Sequence, residues 1–252
     1  MIKRKLIFAF VAMTLAGAAA WAQPSGMRGG GGAPGMNPAV AKLFGNNKAF
    51  STKATMTMNN GDQPMSMDMN LFMMDGKMRS EMDMTKNKGI PAATSERMKQ
   101  MGMDQIVTIA RPDKKVSLMI FPSMQAYSET AFDEAQAKAA ASDYKIEKQS
   151  MGKETFDGHP CEKNKVTITD DKGEKHEALV WNAVDLKDFP LQMEMNEDGK
   201  AIKMHFTNIK LEKPDAKVFE APEGFTKYGS QMELMGAEMR KRAAAGVASK
   251  RP

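Results

Sequence analysis

Residues 52–84 read TKATMTMNNGDQPMSMDMNLFMMDGKMRSEMDM and place methionine at alternate positions in three short runs. Successive residues of a β-strand point to opposite sides, so a period of two gathers these side chains on one face. The intervening positions are mostly Thr, Ser, Asp, Asn and Arg. Asn59-Asn60-Gly61 and Asp75-Gly76 separate the runs and favour chain reversal. The stretch therefore predicts a three-stranded antiparallel meander with one thioether-lined face and one polar face.

The apolar positions of this face are the candidate ligand-binding residues. Trp181, close to the predicted rim segment at residues 185–190, is added as a weaker candidate. The full set is Met56, Met58, Met65, Met67, Met69, Leu71, Met73, Met78, Met82, Met84 and Trp181.

Four interpretations of the methionine face remain open. Unbranched, polarizable thioethers serve as ordinary core, as a pocket that adapts to an acyl chain or another apolar ligand, or as a surface for an envelope protein partner. The fourth interpretation is Cu(I) binding, because thioethers select this soft ion and Met65, Met67 and Met69 follow one another at alternate positions. Two observations argue against Cu(I) binding. The three histidines lie far away in sequence, and methionines at alternate positions of one strand do not easily direct their sulfur atoms to a single ion.

The N-terminus has the features of a secretory signal peptide, predicted at residues 1–22. Three basic residues precede an apolar run at residues 6–20, and Ala20-Trp21-Ala22 forms a small-x-small cleavage site. No cysteine follows the run to carry an acyl anchor, and no later stretch is apolar enough for a transmembrane anchor. We expect a periplasmic protein with a flexible Gly/Pro-rich linker at residues 23–38, one domain at 39–229, and a C-terminal helix with a basic tail at 230–252.

Charge and cysteine content argue against two classes of function, nucleic-acid binding and thiol chemistry. The chain carries a net charge of +5, of which three charges belong to the signal peptide and five to the basic tail, so residues 23–239 carry about −3. This balance argues against a nucleic-acid partner. Cys161 is the single cysteine, and we expect it to be a buried small hydrophobe rather than a reactive thiol.

Further strand patterns follow the meander at intervals typical of an antiparallel sheet. Residues 105–110 and 116–121 flank a turn containing Pro112, and five more segments between residues 144 and 211 alternate or end in Gly-containing turns. Helices are predicted at residues 38–44, around Ser95, at 130–141, and after the capping box formed by Ser230 and Glu233. In the last of these, the apolar face is predicted to consist of Met232, Met235, Met239 and Ala243. The pattern predicts an α+β fold: a curled antiparallel sheet, or unclosed β-barrel, of about ten strands covered by short helices.

No arrangement typical of catalysis occurs. The sequence lacks a nucleophile elbow, paired histidines at metal-ligand spacing, and a glycine-rich phosphate loop between a strand and a helix. His159 and Cys161 flank Pro160 and are interpreted as chance neighbours. We therefore predict a protein that is not an enzyme and needs no cofactor or metal.

Five stretches between residues 44 and 228 occur in a familiar order. They are KMRSEMDM (77–84), IARPDKKVSLMIFPSMQAYSE (109–129), GKETFDGHPCEKNKV (152–166), VWNAVDLKDFPLQMEM (180–195) and FTNIKLEKPDAKVFEAPEGFTKY (206–228). In this order they resemble the LolA-like group of bacterial periplasmic proteins, and within it a family known mainly as a domain of unknown function. The resemblance implies an unclosed barrel over helices with an apolar cavity, which takes acyl chains in the lipoprotein carriers of the envelope. The methionine-dense strands depart from the more aromatic lining of those carriers.

Overall fold

The computed structural model describes residues 38–60, 63–132, 144–169, 173, 175–197 and 200–248. Within these ranges the chain forms twelve strands and three α-helices. The strands are β1 (Ala49–Asn60), β2 (Gln63–Met74), β3 (Lys77–Asp83), β4 (Gln105–Arg111), β5 (Val116–Phe121), β6 (Ala126–Ala131), β7 (Lys145–Phe156), β8 (His159–Thr169), β9 (Lys175–Ala183), β10 (Phe189–Glu197), β11 (Lys200–Lys210) and β12 (Thr226–Tyr228). The helices are α1 (Pro38–Ala41), α2 (Ala92–Gln100) and α3 (Gln231–Ala248).

All twelve strands belong to one unclosed sheet in the order β12-β6-β5-β4-β3-β2-β1-β11-β10-β9-β8-β7. Most neighbours in the sheet are also neighbours in sequence, because short turns connect antiparallel strands. Two meanders, β1–β6 and β7–β11, join where β1 pairs with β11. The predicted α+β class with a curled, unclosed antiparallel sheet is confirmed.

The strand count exceeds the predicted value of about ten because two strands were missed. β6 covers residues with no predicted element and the first two residues of the predicted helix at 130–141, and it pairs with β5 from Val116↔Ala131 to Phe121↔Ala126. β12 has three residues and runs parallel to β6 at the edge of the sheet. Neither segment has the long apolar alternation that marks β1 and β2, so a local pattern does not reveal them.

The observed helices differ from several of the predicted ones in where they begin. α1 continues into a 3₁₀ turn at Lys42–Phe44, as predicted for residues 38–44. α2 confirms a helical turn in the loop after the meander, but it begins after Pro91, so the predicted cap Ser95 lies inside the helix. The helix predicted at residues 130–141 is wrong at its start, because 130 and 131 belong to β6; residues 133–141 lie outside the described part of the chain.

Ser230 and Glu233 cap the start of α3 as predicted, except that Glu233 accepts from the N–H of Gly229 and not from that of Ser230. The Glu233 backbone N–H donates to Ser230 Oγ at 3.1 Å, and the Gly229 N–H donates to Glu233 Oε2 at 2.9 Å. The packing face of α3 differs from the predicted one. Leu234 is fully buried against Phe121 and Ala126. Met232 and Met239, predicted to share the apolar face, are instead exposed. No α-helix of the described residues is long and apolar enough to cross a membrane.

The outer side of β2–β5 is covered by the segment at residues 212–225, here called the strap. Phe219 of the strap is fully buried against Met74, Ile109 and Ile120. Arginine side chains from the sheet fix the strap backbone. Arg79 Nη1 donates to the Val218 carbonyl at 2.8 Å, and Arg111 Nη1 donates to the Phe219 carbonyl at 3.0 Å. The other side of the sheet, the inner face, is therefore where an internal apolar site has to lie.

Candidate functional site

The predicted methionine positions of β1, β2 and β3 lie together on the inner face. Strand register places Met56 opposite Met67, Met58 opposite Met65, and Met69 opposite Met82. Directly opposed residues share a face and their Cβ atoms lie about 4.5–5.5 Å apart. Except for Met65, the candidates from the meander pack in or against one hydrophobic cluster: Met56, Met58, Met67, Met69, Leu71, Met73, Met78, Met82 and Met84. Met84 lies in the 3₁₀ turn that follows β3.

The methionine face continues onto β11 and β10, beyond the residues predicted from the meander. Met204 of β11 lies opposite Met56 on one side and Met193 of β10 on the other. One row of four thioethers, here called the floor row, thus crosses β2, β1, β11 and β10: Met67, Met56, Met204 and Met193. The alternation Met193-x-Met195 in the sequence was the signal for this extension.

A second row runs beside the floor row and is less buried. This rim row consists of Met65, Met58, Ile202 and Met195, which are directly opposed across the same four strands. The floor row is between 0% and 9% exposed, whereas every member of the rim row is only half-buried. The methionine face, here also called the wall, is therefore closed to solvent along the floor row and partly exposed to solvent along the rim row.

The opposite end of the wall is closed by four phenylalanines, here called the aromatic plug: Phe44, Phe50, Phe189 and Phe206. The Phe44 ring centroid lies 4.7 Å from that of Phe50 and 5.4 Å from those of Phe189 and Phe206. All four rings are at most 1% exposed. Phe50 and the rim residue Met58 are eight residues apart on β1, or about 26 Å, so plug and rim lie at opposite ends of the wall.

Trp181 does not join the methionine face. Val180 packs in the methionine cluster, and strand alternation turns the next residue, Trp181, to the outer side. There Trp181 packs with Cys161 and Leu191, its Nε1–H donates to the Glu154 carboxylate, and Lys163 Nζ lies 4.5 Å from the ring centroid. The structure therefore places this candidate in a separate outer cluster.

The histidines near this outer cluster are engaged by carboxylates. His159 Nδ1 lies 2.7 Å from Asp185 Oδ2, and His205 Nε2 contacts the Asp157 carboxylate. Within the described ranges, no group of three or more His, Cys, Asp or Glu side chains is placed to hold a metal ion. Donors for a soft metal would thus have to be the methionines of the inner face.

Cys161 is buried, as predicted. It is 1% exposed and packs with Trp181, Ala183 and Leu191. Burial raises the pKa of its thiol, because the thiolate loses solvation in this apolar cluster. A nucleophilic role for Cys161 therefore has no support in its surroundings.

A cleft of about 130 Å³ opens beside the aromatic plug. It is lined by Leu43, Phe44, Gly45, Asn46, Asn47, Lys148, Lys187 and Asp188. Ligand sites usually measure about 300–1,000 Å³ and are predominantly apolar. This cleft is smaller than that, and most of its lining residues are polar or charged, so the methionine face is the stronger candidate site.

Comparison with known proteins places the chain in a family. The family model described as "Domain of unknown function (DUF4412)" matches residues 53–189, from β1 to the first residue of β10. Among curated proteins, no sequence matches the chain.

Several solved structures are similar to the chain at low sequence identity. A LolA superfamily protein of Nitrosomonas europaea is 11% identical, with 73% of this chain and 94% of that chain covered and a TM-score of 0.34. A DUF1329 family protein of Desulfovibrio piger is 12% identical, with coverages of 73% and 98% and a TM-score of 0.33. The lipoprotein LppX of Mycobacterium tuberculosis is 11% identical, with coverages of 68% and 93% and a TM-score of 0.35. The family match agrees with the resemblance, found in the sequence, to a family known mainly as a domain of unknown function. Since the family model covers more than half of the 252 residues, the chain belongs to the DUF4412 family.

Proposed function

We propose that the protein is an exported periplasmic binding protein that holds an apolar ligand, the acyl chain of a lipid or lipoprotein, against its methionine face without catalysis. The observation that carries this proposal is the half-buried rim row beside the buried floor row. A contiguous apolar patch that a folded protein leaves uncovered marks an interaction or ligand site, whereas single scattered apolar residues do not. The aromatic plug at the far end gives the wall a closed bottom and one open end.

Thioether side chains suit a ligand of variable shape. Methionine is unbranched and rotates about three bonds, so a methionine-lined wall can repack around chains of different length or branching. The rim and floor rows together present seven methionines and one isoleucine across four strands. This composition supports binding of flexible hydrocarbon rather than recognition of one rigid molecule.

The features of the N-terminus support the location of this activity. The basic start, short apolar run and small-x-small site at residues 1–22 favour export, and residues 23–239 lack a strongly charged balance. In the periplasm, a binding protein of this kind would shield acyl chains from water during transfer between membranes. Shielding needs burial of apolar surface only, which is worth about 25 cal/mol per Å².

Native mass spectrometry on protein purified from the periplasm tests the proposal. The expected result is a population whose mass exceeds that of the mature chain by one lipid, and which releases that lipid on extraction with organic solvent. The extracted protein should then bind a fluorescent fatty-acid probe. A protein that emerges free of lipid and also fails to bind the probe would contradict the proposal.

Binding of Cu(I) is a second candidate, and one observation favours it. Cross-strand register brings Met56 beside both Met67 and Met204, so thioethers converge from neighbouring strands and not only along one strand. This candidate predicts a Cu(I) affinity that survives competition by a chelator and falls when Met65, Met67 and Met69 are changed to leucine. Unchanged affinity in that variant, or no affinity at all, removes it.

A further inference from the structure

Two buried hydroxyl groups lie side by side on the largely apolar inner face. Ser80 of β3 is directly opposite Thr108 of β4, and the two residues are 1% and 2% exposed. Ser80 is also opposite Leu71 of the methionine cluster, which places it on the inner face. Val107 and Ile109, on either side of Thr108, pack in the outer cluster beneath the strap, so Thr108 also points inward.

Neither hydroxyl is satisfied by the protein. In the described structure, Ser80 Oγ and Thr108 Oγ1 are inaccessible to solvent and have no hydrogen-bond partner. Buried polar atoms nearly always have a partner, and an unpaired one costs free energy because it has lost its hydrogen bonds to water. The two adjacent hydroxyls without a hydrogen bond therefore indicate that a hydrogen-bond partner is missing.

Thr52 shows that the fold can satisfy a hydroxyl in the same row. Thr52 of β1 is opposite Leu71 of β2, which is itself opposite Ser80, so the three residues belong to one cross-strand row. Thr52 is 4% exposed, and its Oγ1 donates to the Thr207 carbonyl at 2.7 Å. The row therefore contains one hydroxyl that uses a backbone acceptor and two that do not. Burial alone does not account for the difference between them.

The geometry suits one acceptor atom shared by both groups. Directly opposed residues have Cβ atoms about 4.5–5.5 Å apart, so two hydroxyls can donate to a single oxygen between them. Leu71 and Met119 flank the pair along the row, and Met78 and Met82 flank Ser80 along β3. None of these neighbours is charged, and a buried carboxylate without a cation is strongly disfavoured. The site thus favours a neutral carbonyl oxygen.

We propose that Ser80 and Thr108 form a polar subsite that binds the ester carbonyl of an acyl ligand whose chain lies along the methionine face. This assignment rests on the proposed function. Leu71 and the rim residue Met65 are six residues apart on β2, or about 20 Å, which is the length scale of a long acyl chain. Because both hydroxyl oxygens are closed to solvent in this structure, the flexible methionine side chains around them have to repack to admit the carbonyl. The chain then extends past Met69 and the floor row towards the rim row.

Competition binding with matched ligands tests the subsite. Delipidated protein is loaded with the fluorescent hydrocarbon diphenylhexatriene, which is then displaced by methyl hexadecanoate, by hexadecanoate anion, or by 1-hexadecene. We expect the neutral ester to compete better than either the anion or the alkene. In the double variant Ser80→Ala/Thr108→Val, affinity for the ester should fall about tenfold or more, the equivalent of two ordinary hydrogen bonds. Affinity for the alkene should change less than twofold.

Thr52→Val is the matched control, because it removes a buried hydroxyl of the same row that already has an acceptor. It should not change the preference for ester over alkene. An infrared readout adds a test that needs no variant: the stretch of a ¹³C-labelled ester carbonyl should lie at lower frequency in the protein than in alkane. Equal loss of ester and alkene binding in the double variant, or a carbonyl frequency equal to that in alkane, overturns the subsite. If diphenylhexatriene itself does not bind, the proposed function fails, and the subsite fails with it.

Discussion

Met56 of β1 and Met204 of β11 lie directly opposite each other at the seam where the two meanders of the sheet meet. Both side chains are buried, at 4% and 1% exposed. The seam pairs the first strand in chain order with the eleventh, so its register depends on contacts between residues that are distant in sequence. Packing of the floor row therefore contributes both to the fold and to the candidate site.

Truncation of Met56 should destabilise the protein far more than truncation of an exposed methionine. Met56→Ala leaves a cavity in the floor row and should lower the free energy of unfolding by about 2–5 kcal/mol. Met56→Leu keeps most of the volume and should cost less than about 1.5 kcal/mol. Urea denaturation followed by circular dichroism measures both values.

Met151 is the matched control, since it is 54% exposed on β7. Met151→Ala should change the free energy of unfolding by no more than about 0.5 kcal/mol. If Met56→Ala and Met151→Ala have equal effects, the floor row is not the packed layer described above.

The meander was predictable because its information is local. Alternating methionines between turn residues determine which side chains share a face, and the observed register confirms that grouping for Met56, Met67 and Met69. The contribution of Met204 depends on the pairing of β1 with β11, which no local pattern encodes. Trp181 was a weak candidate for ligand contact because of its place near residues 185–190, and it lies in the outer cluster. Alternation along β9 gives two equivalent phases, and only the packing of Val180 chooses between them. Ser80 and Thr108 were not predicted as site residues, because a hydroxyl side chain in a strand normally faces water.

Acid should weaken the attachment of the strap. Hydrogen bonds from Arg111 lower the pKa of Asp113 to about 2, well below the ordinary value of an aspartate carboxyl. Hydrogen bonds from Arg111, and next from Lys114, also lower the pKa of Glu220. Carboxyls whose pKa is lower in the folded state stabilise the fold above their unfolded pKa, and that contribution is lost as the pH falls from about 4 to about 2.

The measurement is the urea midpoint of the wild type and of Asp113→Asn/Glu220→Gln between pH 7 and pH 2. The wild type should be more stable at pH 7, and the difference should shrink towards zero at pH 2. The effect should be modest, because Asp113 and Glu220 are 43% and 51% exposed and solvent screens their attraction to Arg111. A difference that stays constant over the whole range would contradict the assigned ion pairs.

Cys161 should resist thiol reagents while the protein is folded. The side chain is 1% exposed and burial raises the pKa of its thiol, so both access and thiolate concentration are low. We expect labelling by a maleimide at pH 7 to be at least about a hundredfold slower in buffer than in denaturant. The control variant Cys161→Ala/Met151→Cys carries an exposed thiol and should react at once. Rapid, complete labelling of the folded wild type would show that the outer cluster opens readily.

Gly102 should be required for docking of α3. Its φ is +71°, and an added Cβ would meet Met124 Cγ at 2.9 Å and Arg242 Nη2 at 2.7 Å. Arg242 on α3 also donates to the Gln100 carbonyl, so the collision falls where the helix is attached. Gly102→Ala should accelerate amide hydrogen exchange at residues 234–242.

Gly158 provides the control for backbone strain alone. Its φ is +80°, but an added Cβ would meet nothing within 4 Å. Gly158→Ala should cost about 1 kcal/mol of stability without changing exchange in α3 relative to its neighbours. Equal acceleration of α3 exchange in both variants would mean that strain, not the contact at Gly102, controls docking.

The central claim is that the partly uncovered rim row contacts an apolar ligand, and titration with a fluorescent fatty-acid probe tests it most directly. Met58→Gln/Met195→Gln places polar groups at two half-buried rim positions while keeping side-chain length, so the fold should persist. Loss of apolar contact at both positions should raise the Kd by about tenfold or more. Met151→Gln should leave the Kd unchanged. A Kd that is the same in the rim variant, the Met151 variant and the wild type would contradict the assignment of the methionine face as the binding site.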